Sequence, residues 1–431
     1  MTMVGVSIMI LGLLFFTLGS SLWVGISLTL VGVLGIEFLT SVSPFMILGN
    51  ILFNQTASST MMALPLFIFM GEVLFRSKIS ENLFKGLAPW VDSLPGGLIH
   101  VNIVACALFA AVSGSSAATT ATVGKITLPE LSKRKYDKGL SLGTLAGSGT
   151  LGFLIPPSMM MLVYGVTAEV SVGKLFIAGL LPALVIALGL MAYVIVKCLI
   201  DPKKAPRNLE GFTWKDRIKA IPLILPVVVI IGIVLGGIYA GWTTPTEAAS
   251  IGAIASVLFA FASKSMNLQI FKDTIMASIK TTAMIMLIVT GAAFLSVAMG
   301  YLGIPAALTN LIVSKNVGPY QLIFITSILY LVLGMFIEGF SMIVMTLPLI
   351  LPLIITSGFD PIWFGVYLVI MIEIAQITPP VGFNLFIING ITGESMSNIA
   401  RYALPSFIIL GLVVVLITIF PQIVLVLPNM M

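Results

Sequence analysis

The chain is short of charge. Of its 431 residues, 9% are Asp, Glu, Lys or Arg, against about 25% in an ordinary soluble domain. It has one histidine and two cysteines. A single histidine excludes a zinc-protease helix, which needs two on one face. His100 precedes a hydrophobic run and reads as structural or interfacial rather than as a proton relay. Cys106 and Cys198 stand far apart in apolar stretches, so they read as small buried hydrophobes, not as a disulfide or a metal site. No Walker A loop is present. Its nearest approach, Gly124-Lys125-Ile126, lacks the earlier glycine and the closing Ser or Thr, so no ATP hydrolysis is implied. The Gly-x-Ser stretches have no base in their region to make a hydrolase elbow. Few titratable groups remain for chemistry, and the reading is not an enzyme.

What is abundant is hydrocarbon. Apolar residues make up 59% of the chain, more than a soluble protein of this size can cover with polar side chains. They come in blocks of about 17 to 25 residues, the length that crosses roughly 30 Å of bilayer as a helix. Val4–Leu18, Trp23–Leu39, Leu175–Ile200, Ile221–Tyr239, Ile251–Ala262 with its flanks, Met284–Met299 and Leu404–Leu427 are such blocks. Continuous apolar runs exclude a β-barrel, whose strands alternate. The first block has no basic leader and is followed by Gly19-Ser20-Ser21, so it reads as a retained helix rather than a signal peptide. The fold class is therefore an all-α polytopic membrane protein. Its net charge of +5 tracks loops on the cytoplasmic face and implies no nucleic-acid partner.

Two halves repeat one motif order. The first has Ser113-Gly-Ser-Ser116, Thr127-Leu-Pro129, Ile155-Pro-Pro157 and Leu180-Leu-Pro182; the second has Ile337-Glu-Gly-Phe-Ser341, Thr346-Leu-Pro348, Thr378-Pro-Pro380 and Ala403-Leu-Pro405. Pro156 to Pro182 and Pro379 to Pro405 are each 26 residues apart, while Pro129 to Pro156 and Pro348 to Pro379 differ, at 27 and 31. Charge gives the halves opposite senses. The loop after the first Thr-Leu-Pro carries Lys133, Arg134, Lys135 and Lys138; its counterpart, Ser357–Trp363, carries no basic residue. Since Lys and Arg collect on the cytoplasmic side, equivalent loops face opposite ways. Arg76, Lys78 and Lys85, the segment Lys197–Lys219, and Lys264, Lys272 and Lys280 are further inner anchors. These anchors place the central linker in the cytoplasm and both termini in the periplasm.

The stretch from Pro95-Gly-Gly97 to Thr127-Leu-Pro129 has basic flanks on both sides, so it enters and leaves by one face as a re-entrant hairpin. Gly318-Pro-Tyr320 to Pro352 reads the same way from the other face. The expected organisation has two inverted-topology repeats. Residues 1–200 form the first, with hairpin 1 at about 95–131 and a broken helix at about 139–165; 201–219 are a cytoplasmic linker; and 220–431 form the second, with hairpin 2 at about 318–353 and a broken helix at about 363–389.

Four interruptions at membrane depth need a reason, because irregular backbone is tolerated there only inside protein or against a wet cavity. Proline removes a donor and frees a carbonyl, and glycine lets backbone approach a ligand. Freed carbonyls and small hydroxyls are hard ligands for Na⁺, and interrupted helix N-termini favour an anion. Glu338 lies at a hairpin tip and Glu373 on the helix before the second break, where an intramembrane acid marks function by default. Glu72, four residues before Arg76, reads as half of a surface ion pair, Glu247 after Pro245 as a helix cap, and Glu37 as interfacial.

Four stretches resemble one known family: Ser113-Gly-Ser-Ser-Ala-Ala-Thr-Thr-Ala121, Gly149-Thr-Leu-Gly-Phe-Leu-Ile-Pro-Pro-Ser158, Thr244-Pro-Thr-Glu-Ala-Ala249 and Gln376-Ile-Thr-Pro-Pro-Val-Gly-Phe-Asn384. They are similar to signatures of the large membrane subunit of tripartite ATP-independent periplasmic (TRAP) transporters, over essentially the whole chain. The resemblance implies a bacterial inner-membrane protein working with a small four-helix membrane subunit, expected as a separate chain, and a periplasmic substrate-binding protein. It implies sodium-coupled uptake of a carboxylate-bearing solute, such as sialic acid, another sugar acid or a C4-dicarboxylate, with Na⁺ as coupling ion and no other cofactor. It implies an elevator-type architecture, with Lys78–Leu94 among the connecting or scaffold arms. One cation site would take Ser113, Gly114, Ser115, Ser116, Gly149 and Thr150, and its twin Glu338, Gly339, Ser341, Thr378, Pro379 and Gly382. A solute site between them would use Ser116, Thr119, Pro156, Pro157, Pro380 and Asn384. The rival reading is a stand-alone ion-coupled carboxylate transporter that needs no binding protein.

The inversion is testable by labelling. With Cys106 and Cys198 replaced by alanine, Lys135→Cys and Gly358→Cys are expected to react with an impermeant maleimide from opposite sides of oriented vesicles. Reaction from the same side would remove the inversion.

Overall fold

The computed structural model describes residues 3–20, 22–206, 212–314 and 317–431. Ser21 of the first turn and residues 207–211 of the expected linker lie outside the described residues. Among the described residues no strand occurs. The chain opens with α1 (Met3–Gly19), α2 (Val24–Leu39), α3 (Pro44–Ala57), α4 (Ala63–Arg76) and α5 (Ile79–Val91). An interrupted group follows: α6 (Ile99–Ser113), α7 (Ser116–Lys133), α8 (Lys138–Gly149), α9 (Leu151–Leu154), α10 (Met159–Thr167) and the long α11 (Val172–Ile200). Next come α12 (Trp214–Tyr239), α13 (Pro245–Ala262), α14 (Leu268–Tyr301) and α15 (Ile304–Ser314). A second interrupted group closes the chain: α16 (Pro319–Gly334), α17 (Gly339–Thr356), α18 (Pro361–Gln376), α19 (Phe383–Thr392), α20 (Met396–Ile419) and the short α21 (Gln422–Leu425).

Helices α11, α12, α13, α14, α17 and α20 are each long and apolar enough to cross a membrane; the pair α8–α9 and α10, bent by 40° at its break, would add a seventh span. Local chemistry sets their ends. Thr213 with Asp216, and Thr244 with Glu247, form reciprocal capping boxes at the starts of α12 and α13, satisfying first-turn N–H groups that would otherwise lack partners. Two apolar blocks differ most in extent from the sequence reading. Met284–Met299 is the inner part of the 34-residue α14, whose first turns carry Lys272 and Asp273. Leu404–Leu427 divides after Ile419, because Pro421 has no N–H to continue the helix and disfavours helical backbone in Phe420 before it.

Packing gathers the helices into two neighbourhoods, which meet along α6 and α17. In one, α2 lies along α14, and α4 packs on α13 and α14 while α5 packs on α12. In the other, α8 packs on α6, α7 and α20, while α7 lies against α19. Helix α18 is its axis, buried at every position from Trp363 to Gln376. Two of its polar groups are satisfied: Trp363 donates to the Ile417 carbonyl at 2.8 Å, and the Tyr367 hydroxyl pairs with Ser327 at 2.7 Å. Aromatic stacking of Phe359, Trp363 and Tyr367, with ring centres 4.7 and 5.3 Å apart, extends that core. Ion pairs are peripheral. Glu72–Arg76, Glu81–Lys85 and Glu130–Arg134 are helix-surface pairs one turn apart, a class that contributes little. Cys106 and Cys198 are free and buried, and buried His100 bonds the Pro95 carbonyl at 2.8 Å.

Close backbone contact is what joins α8 to α20. A Cβ on Gly143 would stand 2.1 Å from the Tyr402 carbonyl oxygen, and Ser406 donates to the Gly143 carbonyl at 3.0 Å. Gly143→Ala is therefore expected to lower the thermal midpoint in detergent by an amount matching about 1–3 kcal/mol of overpacking. Gly411→Ala, with nothing within 4 Å, should be neutral or stabilising by up to about 1 kcal/mol. Equal midpoints for the two variants would contradict this packing.

Candidate cation and solute site

The first tip is the turn between α6 and α7. Gly114 takes a left-handed conformation, φ 58°, which glycine adopts without a Cβ penalty. Ser115 caps α7 by accepting the Ala118 N–H at 3.4 Å. Ser113 reaches across the turn to the Thr119 hydroxyl at 2.9 Å. The first break follows α8. The Thr150 hydroxyl folds back onto the Gly147 carbonyl at 2.6 Å. Helix α9 lasts four residues, the Pro156-Pro157 bond is cis, and Ser158 caps α10 by accepting the Met161 N–H at 3.2 Å.

Tip and break touch along their backbones. A Cβ on Gly114 would lie 2.6 Å from the Pro157 carbonyl, on Gly149 2.0 Å from the Thr120 hydroxyl, and on Gly152 2.4 Å from the Ser116 Cα. The Gly114 carbonyl accepts the Met159 N–H at 3.4 Å. Small residues recur here because the two segments leave no room for a side chain between them.

The second tip is built on an acid. Glu338 caps α17, accepting the Phe340 and Ser341 N–H groups at 3.0 and 3.4 Å. A Cβ on Gly339 would lie 2.6 Å from Met160 Cε and 2.7 Å from Ile372 Cγ2, so this tip seats on α10 and α18. The Phe153 and Phe340 rings meet edge to face at 5.7 Å, joining the first break to the second tip. The second break runs from Gln376 to Phe383. Thr378 bonds back to the Ile374 carbonyl at 2.7 Å, Pro379-Pro380 is cis, and Gly382 is left-handed at φ 49°.

The two breaks differ in exposure. Pro156 and Pro157 are buried, whereas Pro379 and Pro380 are exposed and Thr378 is half-buried. Among the described residues no hydrogen bond joins Glu338 to Thr378, Pro379 or Gly382. The first expected cation set, Ser113 to Ser116 with Gly149 and Thr150, is thus assembled in one place, with Ser116 also reaching the Thr150 carbonyl at 3.5 Å. The second set is distributed between a tip and an exposed turn. Of the expected solute residues, Ser116, Thr119, Pro156 and Pro157 cluster at the first tip and break; Pro380 lies at the exposed turn and Asn384 is buried in the first turn of α19.

Reading the sequence had set Glu373 apart as an intramembrane acid without placing it among the ligands. In the fold its Oε1 accepts the Ser116 hydroxyl and, at 3.0 Å, the Phe153 N–H. One carboxyl on α18 therefore touches both the first tip and the first break. Thr120 and Gln376 are likewise added. Their only signals were a third hydroxyl beside Thr119 and an amide in an otherwise apolar turn. Buried oxygens without a protein partner gather at these elements: Thr120 Oγ1, Glu373 Oε2, Ser341 Oγ, Gln376 Oε1 and Asn384 Oδ1. Buried polar atoms normally find partners; Asn384 Nδ2 is also unpartnered here, and the five oxygens are of the kind that suits a hard cation. Beyond α19, Glu394 accepts from Asn398 at 2.5 Å and pairs with Lys138 at the start of α8. Both donors hold its carboxyl below the ordinary range.

Comparison with known proteins settles what carries this site. The profile of the "Tripartite ATP-independent periplasmic transporter, DctM component" matches residues 11–423. The chain belongs to that family. It is a TRAP transporter large membrane subunit, one component of a tripartite periplasmic system. The chain is 34% identical over 379 residues to the C4-dicarboxylate TRAP transporter large permease protein of Pseudomonas aeruginosa, covering 88% of each. It is 31% identical over 379 residues to the sialic acid TRAP transporter large permease of Vibrio cholerae, covering 86% of each. In fold it resembles the YdaH transporter of Alcanivorax borkumensis, with a TM-score of 0.60 at 13% identity over 89% of this chain and 86% of that one. These relatives are transport proteins, not enzymes.

In this TRAP subunit the Gly114 contact separates tip packing from simple backbone strain. Gly114→Ala combines a left-handed φ with a carbonyl 2.6 Å away, while Gly393→Ala has a similar φ of 68° and open space. Gly393→Ala is expected to cost about 1 kcal/mol and Gly114→Ala at least twice that, read from thermal midpoints. The reverse order would sink the tip-to-break contact.

Proposed function

We propose that this subunit carries a carboxylate-bearing solute across the bacterial inner membrane in symport with Na⁺, after delivery by a periplasmic binding protein and alongside a small four-helix membrane subunit. The observation that supports it best is the convergence of both hairpin tips and the first break on α18, with bare oxygens buried among them. The relatives named for C4-dicarboxylate and sialic acid favour an acidic solute and leave the choice between the two to the binding protein.

The residues that would hold Na⁺ at the first site are Ser113, Gly114, Ser115, Ser116, Gly149 and Thr150, through hydroxyl and carbonyl oxygens. At the second they are Glu338, Gly339, Ser341, Thr378, Pro379 and Gly382. The solute's carboxylate would lie between, against Ser116, Thr119 and Asn384 and the Pro-Pro turns. Interrupted helices present N–H groups to an anion there, with α7, α10 and α19 starting at these breaks. In this reading residues 1–200 and 220–431 are inverted repeats and residues 201–219 a cytoplasmic linker. The group around α18 moves as a body past the α2–α14 and α4–α13 scaffold, exposing the site alternately in an elevator-type cycle. Sodium occupancy at the tips stabilises the conformation competent for solute, so the gradient drives uptake by differential affinity.

The test is uptake into proteoliposomes holding the chain, its small membrane partner and its binding protein. An inward sodium gradient is expected to raise the initial rate of sialic acid or C4-dicarboxylate uptake at least tenfold over a choline control. Equal rates with and without the gradient would refute the coupling.

A further inference from the structure

Glu373 is the one acid buried within α18, and it is 1% exposed. Its surroundings are unequal. Oε1 is held by the Ser116 hydroxyl at the start of α7 and by the Phe153 N–H of α9, while Oε2 finds no partner among the described residues. No Lys, Arg or His among the described residues pairs with it; the four ion pairs described lie elsewhere. A carboxylate left in this condition in a low-dielectric interior is costly unless a counter-charge is supplied. Its two fixed donors are a backbone N–H and a short hydroxyl, which orient the group but do not neutralise it. The remaining first-site ligands, Ser113, Gly149 and Thr150 among them, are neutral oxygens, so a cation bound by them alone would itself lack a counter-charge.

The second tip gives the contrast. Glu338 directs its carboxylate at two N–H groups of α17, a helix N-terminus that already favours negative charge. Its charge is engaged within its own turn. The acid of the first site, by comparison, comes from the opposite half of the chain, Glu373 standing 257 positions after Ser116.

We propose that Glu373 supplies the formal charge of the first cation site, ligating a monovalent alkali cation through Oε2 while Oε1 stays clamped to Ser116 and Phe153. The proposal rests on the sodium-coupled reading above. It makes cation binding a cross-link between halves: the ion joins the first hairpin tip and first break to α18, which also seats the second tip through Ile372.

The test measures binding rather than uptake. Full-length chain in nanodiscs is titrated with NaCl at constant ionic strength in choline chloride, and the sodium-dependent rise of the thermal midpoint is fitted. Glu373→Gln is expected to keep or raise the sodium-free midpoint and to raise the apparent sodium Kd at least tenfold. Glu373→Asp keeps the charge but withdraws it by one methylene, and is expected to change the lithium-to-sodium affinity ratio at least threefold. A wild-type response to sodium that Glu373→Gln retains unchanged would overturn the role of Glu373 and leave sodium coupling standing. A wild type blind to sodium would overturn both. If Glu373→Gln is recovered unfolded, the aspartate variant decides, and an unaltered sodium affinity and lithium-to-sodium ratio would overturn the proposal.

Discussion

In hydrocarbon an N–H or C=O without a partner costs several kcal/mol, so a chain that breaks its helices inside a membrane must close each break with its own atoms. The architecture around α18 follows from that constraint. The turn at Ser113–Ser116, the turn at Thr150–Ser158, the tip at Glu338 and the turn at Ile377–Gly382 expose backbone that helices would have paired. Three of them are pressed against one another or against α18 so closely that glycine is the residue fitting the contact at positions 114, 149, 152 and 339. The fourth lies open, with Pro379 and Pro380 exposed. One Pro-Pro break is therefore closed by protein and the other is exposed.

The same constraint explains why so little charge is needed. Ion pairs stay at helix surfaces, and stability rests on apolar burial and on close backbone packing such as α8 against α20. The buried polar groups around the breaks are then conspicuous. Ser116, Thr120, Ser341, Glu373, Gln376 and Asn384 are buried polar residues on four helices that meet around the breaks. Their oxygens are partly bare, which a soluble core would not tolerate and a transport site can use.

Much of this was legible in the sequence. Composition excluded a soluble fold, the recurrence of Ser/Gly tips and Pro-Pro turns marked where helices stop, and Thr244 with Glu247 announced a helix start. Chemistry acting within a few residues is written locally. The partners of α18 were not legible. Its residues from Trp363 to Gln376 are nearly all apolar, so no stripe tells its protein-facing sides from lipid-facing ones, and its burial on every side depends on helices from both halves. The contact of Glu373 with Ser116 was hidden for the same reason. The unlike exposure of the two breaks was equally unreadable, since Pro156-Pro157 and Pro379-Pro380 are chemically alike and differ only in what packs on them.

The central claim is that tips and breaks distant in sequence form one cation-responsive centre. Hydrogen–deuterium exchange of the full chain in nanodiscs, with sodium and with choline, addresses it directly. The account predicts that sodium protects residues 113–120, 149–158 and 338–342 and the C-terminal turn of α18 together, at one common sodium concentration, while α2 and α14 exchange unchanged. Protection confined to one of these segments, or arising at separate concentrations, would contradict a shared centre.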